Sequence, residues 1–146
     1  MMKLLTMINR PPWNELIMLI GNRYKSGGNV IRHRGLILLY TSKSPMDGYG
    51  ADELAGYAED SEAVERYGQP EIDPPRGMIV GAAILSDCRG DPGEVEYDIR
   101  HARRFRRPIK IINRGPVRWF SANVTETIER ELRAIGMWRE AKKAAR

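Results

Sequence analysis

The distribution of apolar and polar residues along the chain predicts its first strands and its first helix. Three runs rich in branched apolar side chains predict strands that are largely buried. They are residues 3–8, 36–43 and 77–88. Between the first two runs, four apolar residues recur at the spacing of one helical face, which predicts a helix within residues 12–20 that ends at Gly21. They are Trp13, Leu16, Ile17 and Ile20.

The C-terminal third of the chain shows two further patterns. Apolar and basic residues alternate over residues 108–112 and 116–120, as in strands with one hydrated, positively charged face. Apolar residues at four-residue spacing then predict a last helix over about 124–134, with Asn123 as its N-cap. They are Val124, Ile128 and Leu132. Together the patterns predict an α+β fold, a small β-barrel with peripheral helices, in a single domain of residues 1–146.

Charge divides the chain into three segments. Residues 1–46 carry a net charge of +6, residues 47–98 of −11 and residues 99–146 of +10. An acidic insertion of about residues 44–77 overlaps the second segment, and one helix is predicted in its middle. About residues 122–146 form a basic C-terminal helix or tail. If the two basic ends fold together, they form the positive face that is typical of a polyanion-binding protein. The alternative is that these charges form solvated, salt-bridged surfaces.

Residues 100–120 combine basic and aromatic side chains. They contain eight Lys or Arg residues and no acidic residue, interleaved with Phe105, Trp119 and Phe120. Phosphates favour Lys and Arg through counterion release, and unpaired bases favour flat aromatic rings. Each aromatic residue taken alone is also typical of a protein core. The stretch therefore predicts a nucleic-acid contact made by the basic side chains, while the aromatic rings are either stacking surfaces or core.

Composition argues against several classes of protein. No apolar run approaches the roughly 20 residues that a membrane-spanning helix needs, and the first residues lack the pattern of a secretory signal. Cys88 is the only cysteine, so no internal disulfide forms, and a cytoplasmic protein is predicted. His33 and His101 lie among arginines, which disfavours a general base. With two histidines and one cysteine, we expect no metal site, and we expect no cofactor and no membrane partner.

Four stretches resemble the ASCH (activating signal cointegrator homology) family of the PUA-like superfamily, in order and spacing. They are PPWNELIMLIGNR (11–23), HRGLILLYTSK (33–43), GMIVGAAILSDC (77–88) and RPIKIINRGPVRWF (107–120). The resemblance implies a small β-barrel with a cleft between the proline-tryptophan helix and the barrel. It also implies binding of RNA or another nucleic acid.

Some members of this family are enzymes, namely small amidohydrolases that act on N4-acetylcytidine and reported ribonucleases. Their pattern places a lysine, a threonine and an arginine after the helix-terminating glycine, where this chain has Arg23, Ser26 and Gly28. Arg23 cannot serve as a general base, because a guanidinium does not lose its proton near neutrality. Lys25 takes the place of the lysine only in a shifted register, and the acid would be Asp87, Glu94 or Glu96. The alternative function is therefore hydrolysis, with Lys25, Ser26 and Asp87 as the catalytic residues.

The leading prediction is a module that binds RNA or single-stranded DNA. We expect Trp13 to line the base of a cleft, with Arg23, Ser26 and Arg34 at its rim and one unpaired base at the indole. In the alternative, Trp13 is a core residue. The residues predicted to contact nucleic acid are Arg10, Trp13, Arg23, Lys25, Ser26, Arg32, Arg34, Lys43, Arg103, Arg106, Lys110 and Arg118. A third prediction is a protein-interaction module whose acidic insertion meets a basic partner.

Overall fold

A single mixed sheet organises the chain. The computed structural model describes residues 1–19, 28–112 and 117–146, and the backbone of residues 23–26. Its strands are β1 (Lys3–Asn9), β2 (Arg23–Ser26), β3 (Gly35–Thr41), β4 (Met78–Arg89), β5 (Val95–Lys110) and β6 (Trp119–Asn123). They are hydrogen-bonded in the order β2-β5-β4-β3-β1-β6. β1 and β3 are parallel neighbours, and the other pairs are antiparallel.

The helices follow the strands in three groups. They are α1 (Trp13–Leu19), α2 (Gly48–Glu59), α3 (Ser61–Tyr67), α4 (Glu126–Ala134) and α5 (Trp138–Ala144). α1 follows β1 directly, α2 and α3 lie in the acidic insertion between β3 and β4, and α4 and α5 follow β6. α4 packs on β5, and α5 packs on β3. Among the described residues, no helix is both long and apolar enough to cross a bilayer.

The sheet is curved, and each of its faces buries a separate core. Tyr97 of β5 and Trp119 of β6 stand near opposite ends of the strand order, yet their ring centroids are 5.7 Å apart. This contact crosses the concave face, where α1 covers a core that includes Met7, Ile37 and Leu39. α4 and α5 cover the convex face. The core there includes Leu4, Leu38, Tyr40, Phe105, Ile128 and Leu132.

The two basic ends of the chain meet in this fold. β1 pairs with β6, and Lys3 and Arg146 exchange backbone hydrogen bonds of 3.2 and 3.0 Å. β5, which carries most of the basic stretch, packs against α4. Basic residues far apart in the sequence are therefore neighbours on one side of the molecule.

Most of the predicted elements are confirmed. The predicted strands at 3–8, 36–43 and 77–88 correspond to β1, β3 and β4, and the first helix is α1. Ile20 and Gly21, its predicted end, lie outside the described residues. Gly81 lies inside the apolar run of residues 77–88, where a glycine indicates a bend or a close backbone approach, and a Cβ atom there would collide with the Arg103 carbonyl oxygen. The pairing of β4 with β5 also shifts register between Ile79 and Gly81.

Other local predictions were wrong. The acidic insertion forms two helices, because Asp60 ends α2 and also caps α3 by accepting from the backbone N–H groups of Glu62 and Ala63. Asn123 does not cap α4, because it is paired with Lys3 in the sheet. Thr125 is the N-cap instead, and its hydroxyl accepts from Ile128 N at 3.3 Å. Residues 23–26 form the strand β2, which the apolar pattern did not predict, and residues 108–110 are the end of the long β5 and not part of a separate strand.

The α+β class is thus confirmed, whereas closure of the sheet into a barrel is not. In the described residues β2 and β6 are the two edges of the sheet, and they do not pair with each other.

Candidate nucleic-acid interface

The surroundings of Trp13 differ from an open basic cleft. Its Nε1–H donates to Asp47 Oδ2 at 2.8 Å, and the same carboxylate oxygen caps α2 by accepting from Gly50 N at 3.2 Å. Gly50 packs directly on the indole, since a Cβ atom there would lie 3.1 Å from Trp13 Cε2. The indole is partly buried beneath the first turn of α2. The structure therefore places the acidic insertion over the indole.

Acidic or polar groups also engage the cations near Trp13. Arg10 lies 3.7 Å from Asp47, and Arg104 forms a two-pronged ion pair with the fully buried Glu15. Arg118 donates to Asn9 Oδ1 at 2.8 Å, at the end of β1. A phosphate approaching this side would meet carboxylates and cations that already have partners. The Trp13 side is therefore a poor binding surface for a polyanion.

Arg34 lies away from the indole, at the opposite end of β3. Arg34 immediately precedes β3, whereas Asp47, the partner of Trp13, follows the end of that strand. A seven-residue strand spans roughly 20 Å, so the length of β3 separates Arg34 from the partner of the indole. Arg34 contacts Asp87 at 3.5 Å and the Cys88 carbonyl at 3.4 Å. It does not form the rim of a Trp13 cleft. Arg32, also at this end, is exposed.

Asp87, the acid of the predicted hydrolytic set, is held in ion pairs. Arg89 bridges Asp87 and Glu96, with both contacts at 2.8 Å. A hydrogen bond from the Cys88 backbone N–H, followed by that from Arg89, lowers the pKa of Asp87. A carboxylate stabilised in this way is a weak base. The side chains of Arg23, Lys25 and Ser26 lie outside the described residues, so hydrolysis stays a prediction.

A groove with several basic side chains runs between the end of β5 and α4. It consists of two depressions, of about 720 and 480 Å³, that share Lys110. We call it the basic groove. Its lining residues are Lys43, Arg106, Arg107, Pro108, Ile109, Lys110, Ile111, Ile112, Thr127, Arg130 and Glu131.

Of the residues predicted to contact nucleic acid, Lys43, Arg106 and Lys110 meet in the basic groove. Arg103 is held elsewhere, because its guanidinium donates to the Ile135 carbonyl at 2.5 Å. Sequence reasoning missed Arg130 as a site residue. The helical period of α4 could have indicated it, because Arg130 lies between the buried positions Ile128 and Leu132 and therefore on the exposed side of the helix.

The charges of the basic groove are largely uncompensated. Arg106 pairs with Glu131 at 2.9 Å. Within the described part of the chain, four other cations of the groove make no ion pair. They are Lys43, Arg107, Lys110 and Arg130. Four like charges without acidic partners repel one another, so an anion that enters the groove relieves this repulsion.

The aromatic residues of the basic stretch have different environments. Phe105 is core, with 1% of its surface exposed. Trp119 is partly buried against Tyr97 on the concave face. Phe120 is partly exposed, and its ring meets Tyr40 edge to face at 5.9 Å. Phe120 also lines a depression on the side of the basic groove.

Glu131 joins α4 to β5 and orients the basic groove. Its side chain is buried, and it accepts from Arg106 at 2.9 Å and from the Arg107 backbone N–H at 3.1 Å. Burial pushes the pKa of Glu131 upward, but these hydrogen bonds outweigh burial, so the pKa is lowered from its usual value of 4.5. Its charge therefore stabilises the folded state above pH 4.5, and this stabilisation is lost as pH falls through the lowered pKa.

We expect Glu131→Gln to flatten the acid limb of the stability profile. The wild-type free energy of unfolding should fall more steeply than that of the variant as pH drops below 4.5, because only the wild type must protonate this carboxylate. Urea denaturation at a series of pH values measures the difference. Parallel profiles for the two proteins would show that Glu131 is not stabilised as a carboxylate.

Comparison with known proteins assigns no family. No protein-family model matches the chain, and no curated protein matches it. Within the described ranges, no group of three His, Cys, Asp or Glu side chains is placed to hold a metal ion.

Proposed function

We propose that this chain binds single-stranded nucleic acid, RNA in preference to DNA, with the phosphates lying along the basic groove. The observation that carries the proposal is the set of four groove cations that have no acidic partner among the described residues. The resemblance to the ASCH family and to its PUA-like barrel supports RNA as the ligand.

The distribution of ion pairs explains why this groove, and not the predicted Trp13 cleft, is the binding surface. Cations near the indole are engaged by Asp47 and Glu15, and α2 and α3 add exposed carboxylates to that side. Among the described residues that line the basic groove, Glu131 is the one carboxylate, and Arg106 neutralises it. A phosphate backbone therefore gains attraction in the groove and meets repulsion from the acidic insertion.

The groove also suits a flexible single strand. Ile111 and Ile112 line it beside the cations, and the side chain of Ile112 is 90% exposed. A single strand offers bases to such apolar surface while its phosphates contact the cations. A duplex keeps its bases stacked inside and gains only the phosphate contacts.

We expect the affinity for single-stranded RNA to fall about 50-fold between roughly 50 and 200 mM salt. Four phosphate contacts at a log–log slope of about −0.7 each give a total slope near −3. Fluorescence anisotropy with an end-labelled oligonucleotide measures this, and the DNA oligonucleotide of the same sequence tests the preference for RNA. An affinity that stays constant over the salt range would refute the proposed function.

A further inference from the structure

A second depression opens at the end of the basic groove. It has a volume of about 370 Å³ and shares Ile111 and Ile112 with the groove. We call it the Phe120 pocket, after the aromatic residue in its wall. Residues of the edge strand β6, and Lys3, which pairs with that strand, also line it.

The pocket has an apolar wall. Phe120 and Ile111 supply it, and the Phe120 ring is partly exposed. The edge-to-face contact with Tyr40, at an interplanar angle of 87°, holds that ring in place. Ser121 and Asn123 alternate with Phe120 and the buried Ala122 along β6, so their side chains project to the other face of the sheet. A preoriented, partly exposed ring suits a flat ligand that stacks on it.

We propose that the Phe120 pocket binds one nucleobase of the strand whose phosphates lie in the basic groove. The inference rests on the proposed function and gives it a base-binding position. Phe120 stacks on the base, and the adjoining phosphates lie on the cations of the basic groove. The pocket lies on the face covered by α4 and α5, whereas Trp13 packs against the core of the other face.

The test combines a variant of the protein with a variant of the ligand. An RNA oligonucleotide in which one abasic nucleotide is placed at each position in turn should lose about tenfold in affinity at one position, since a stacked base contributes about that much. In Phe120→Leu, which keeps apolar volume but removes the ring, intact RNA should lose a similar factor. The abasic substitution should then cost nothing further.

Inorganic polyphosphate, a polyanion without bases, provides the matched control. Its affinity should be the same for the wild type and Phe120→Leu, and its salt dependence should resemble that of RNA. Salt-dependent binding of both ligands with no abasic effect in the wild type would overturn the pocket and leave the proposed function intact. Failure of both ligands to bind would overturn the proposed function itself. The abasic scan of the wild type decides the matter even if Phe120→Leu is unstable.

Discussion

Arg104→Met is expected to lower the free energy of unfolding by about 3 kcal/mol, the low end of the cost of breaking a buried ion pair. Glu15 lies on α1 with no exposed side-chain surface, and Arg104 of β5 donates to both of its carboxylate oxygens, one of them at 2.9 Å. Removing the guanidinium leaves a carboxylate with neither its ion pair nor water. The cost stays at the low end because the Arg104 side chain is itself 40% exposed. Urea denaturation of the two proteins measures the change.

Two further variants separate the ion pair from general effects of losing an arginine. Arg107→Met removes an exposed arginine of the same strand that makes no ion pair among the described residues, and it should change stability by less than about 0.5 kcal/mol. The double variant Glu15→Met with Arg104→Met should recover much of the loss, because it removes both charges together. If Arg104→Met is no more costly than Arg107→Met, Glu15 does not depend on its partner.

The helices and strands that have a clear local pattern of apolar residues could be predicted from the sequence. α1 and α4 show apolar residues on one helical face, and β1, β3 and β4 are apolar runs, so their positions follow from the chain alone. A close backbone approach at Gly81 could also be expected, because a glycine weakens the interior of a strand and is typical of places where another backbone segment comes close. β5 was only partly predicted. Its basic residues lie on a solvated surface, which leaves the strand without a strong apolar signal.

The candidate site depended on contacts that no local pattern contains. The count of positive charges was available from the sequence, but which of them are neutralised depends on pairs such as Arg104 with Glu15, which are 89 residues apart. The position of the acidic insertion over Trp13 likewise depends on a contact across 34 residues, between Trp13 and Asp47. Resemblance to a family with a tryptophan cleft carried no information about these partners.

The ion pairs divide the surface into two sides of different electrostatic character. The acidic insertion and the paired arginines lie with Trp13, whereas the unpaired cations lie with α4. A long polyanion is attracted to the second side and repelled by the first, which restricts the orientations in which it binds. α2 and α3 carry exposed carboxylates, to which a basic protein partner would bind. That partner would not compete with RNA for the basic groove, so its binding can be tested in the presence of RNA.

Reversing the charge of Arg107 and Lys110 is expected to weaken RNA binding about 100-fold near 0.1 M salt. Each phosphate contact contributes about fivefold at this salt concentration through counterion release. Two lost contacts and two new repulsions therefore combine to a factor of this size. Anisotropy titrations of Arg107→Glu with Lys110→Glu against the wild type measure it, and the slope of affinity against salt should become shallower.

The matched control is Arg32→Glu with Arg66→Glu, which changes the net charge of the chain by the same amount. Arg32 lies before β3, at the end away from the basic groove, and Arg66 lies on α3 in the acidic insertion. All four substituted side chains, in the test variant and in the control, are exposed, so none of the substitutions disturbs a core. A long-range effect of net charge would weaken RNA binding equally in the two double variants. A loss confined to Arg107→Glu with Lys110→Glu locates the phosphates in the basic groove, whereas a larger loss in the control would return them to the Arg34 end of β3.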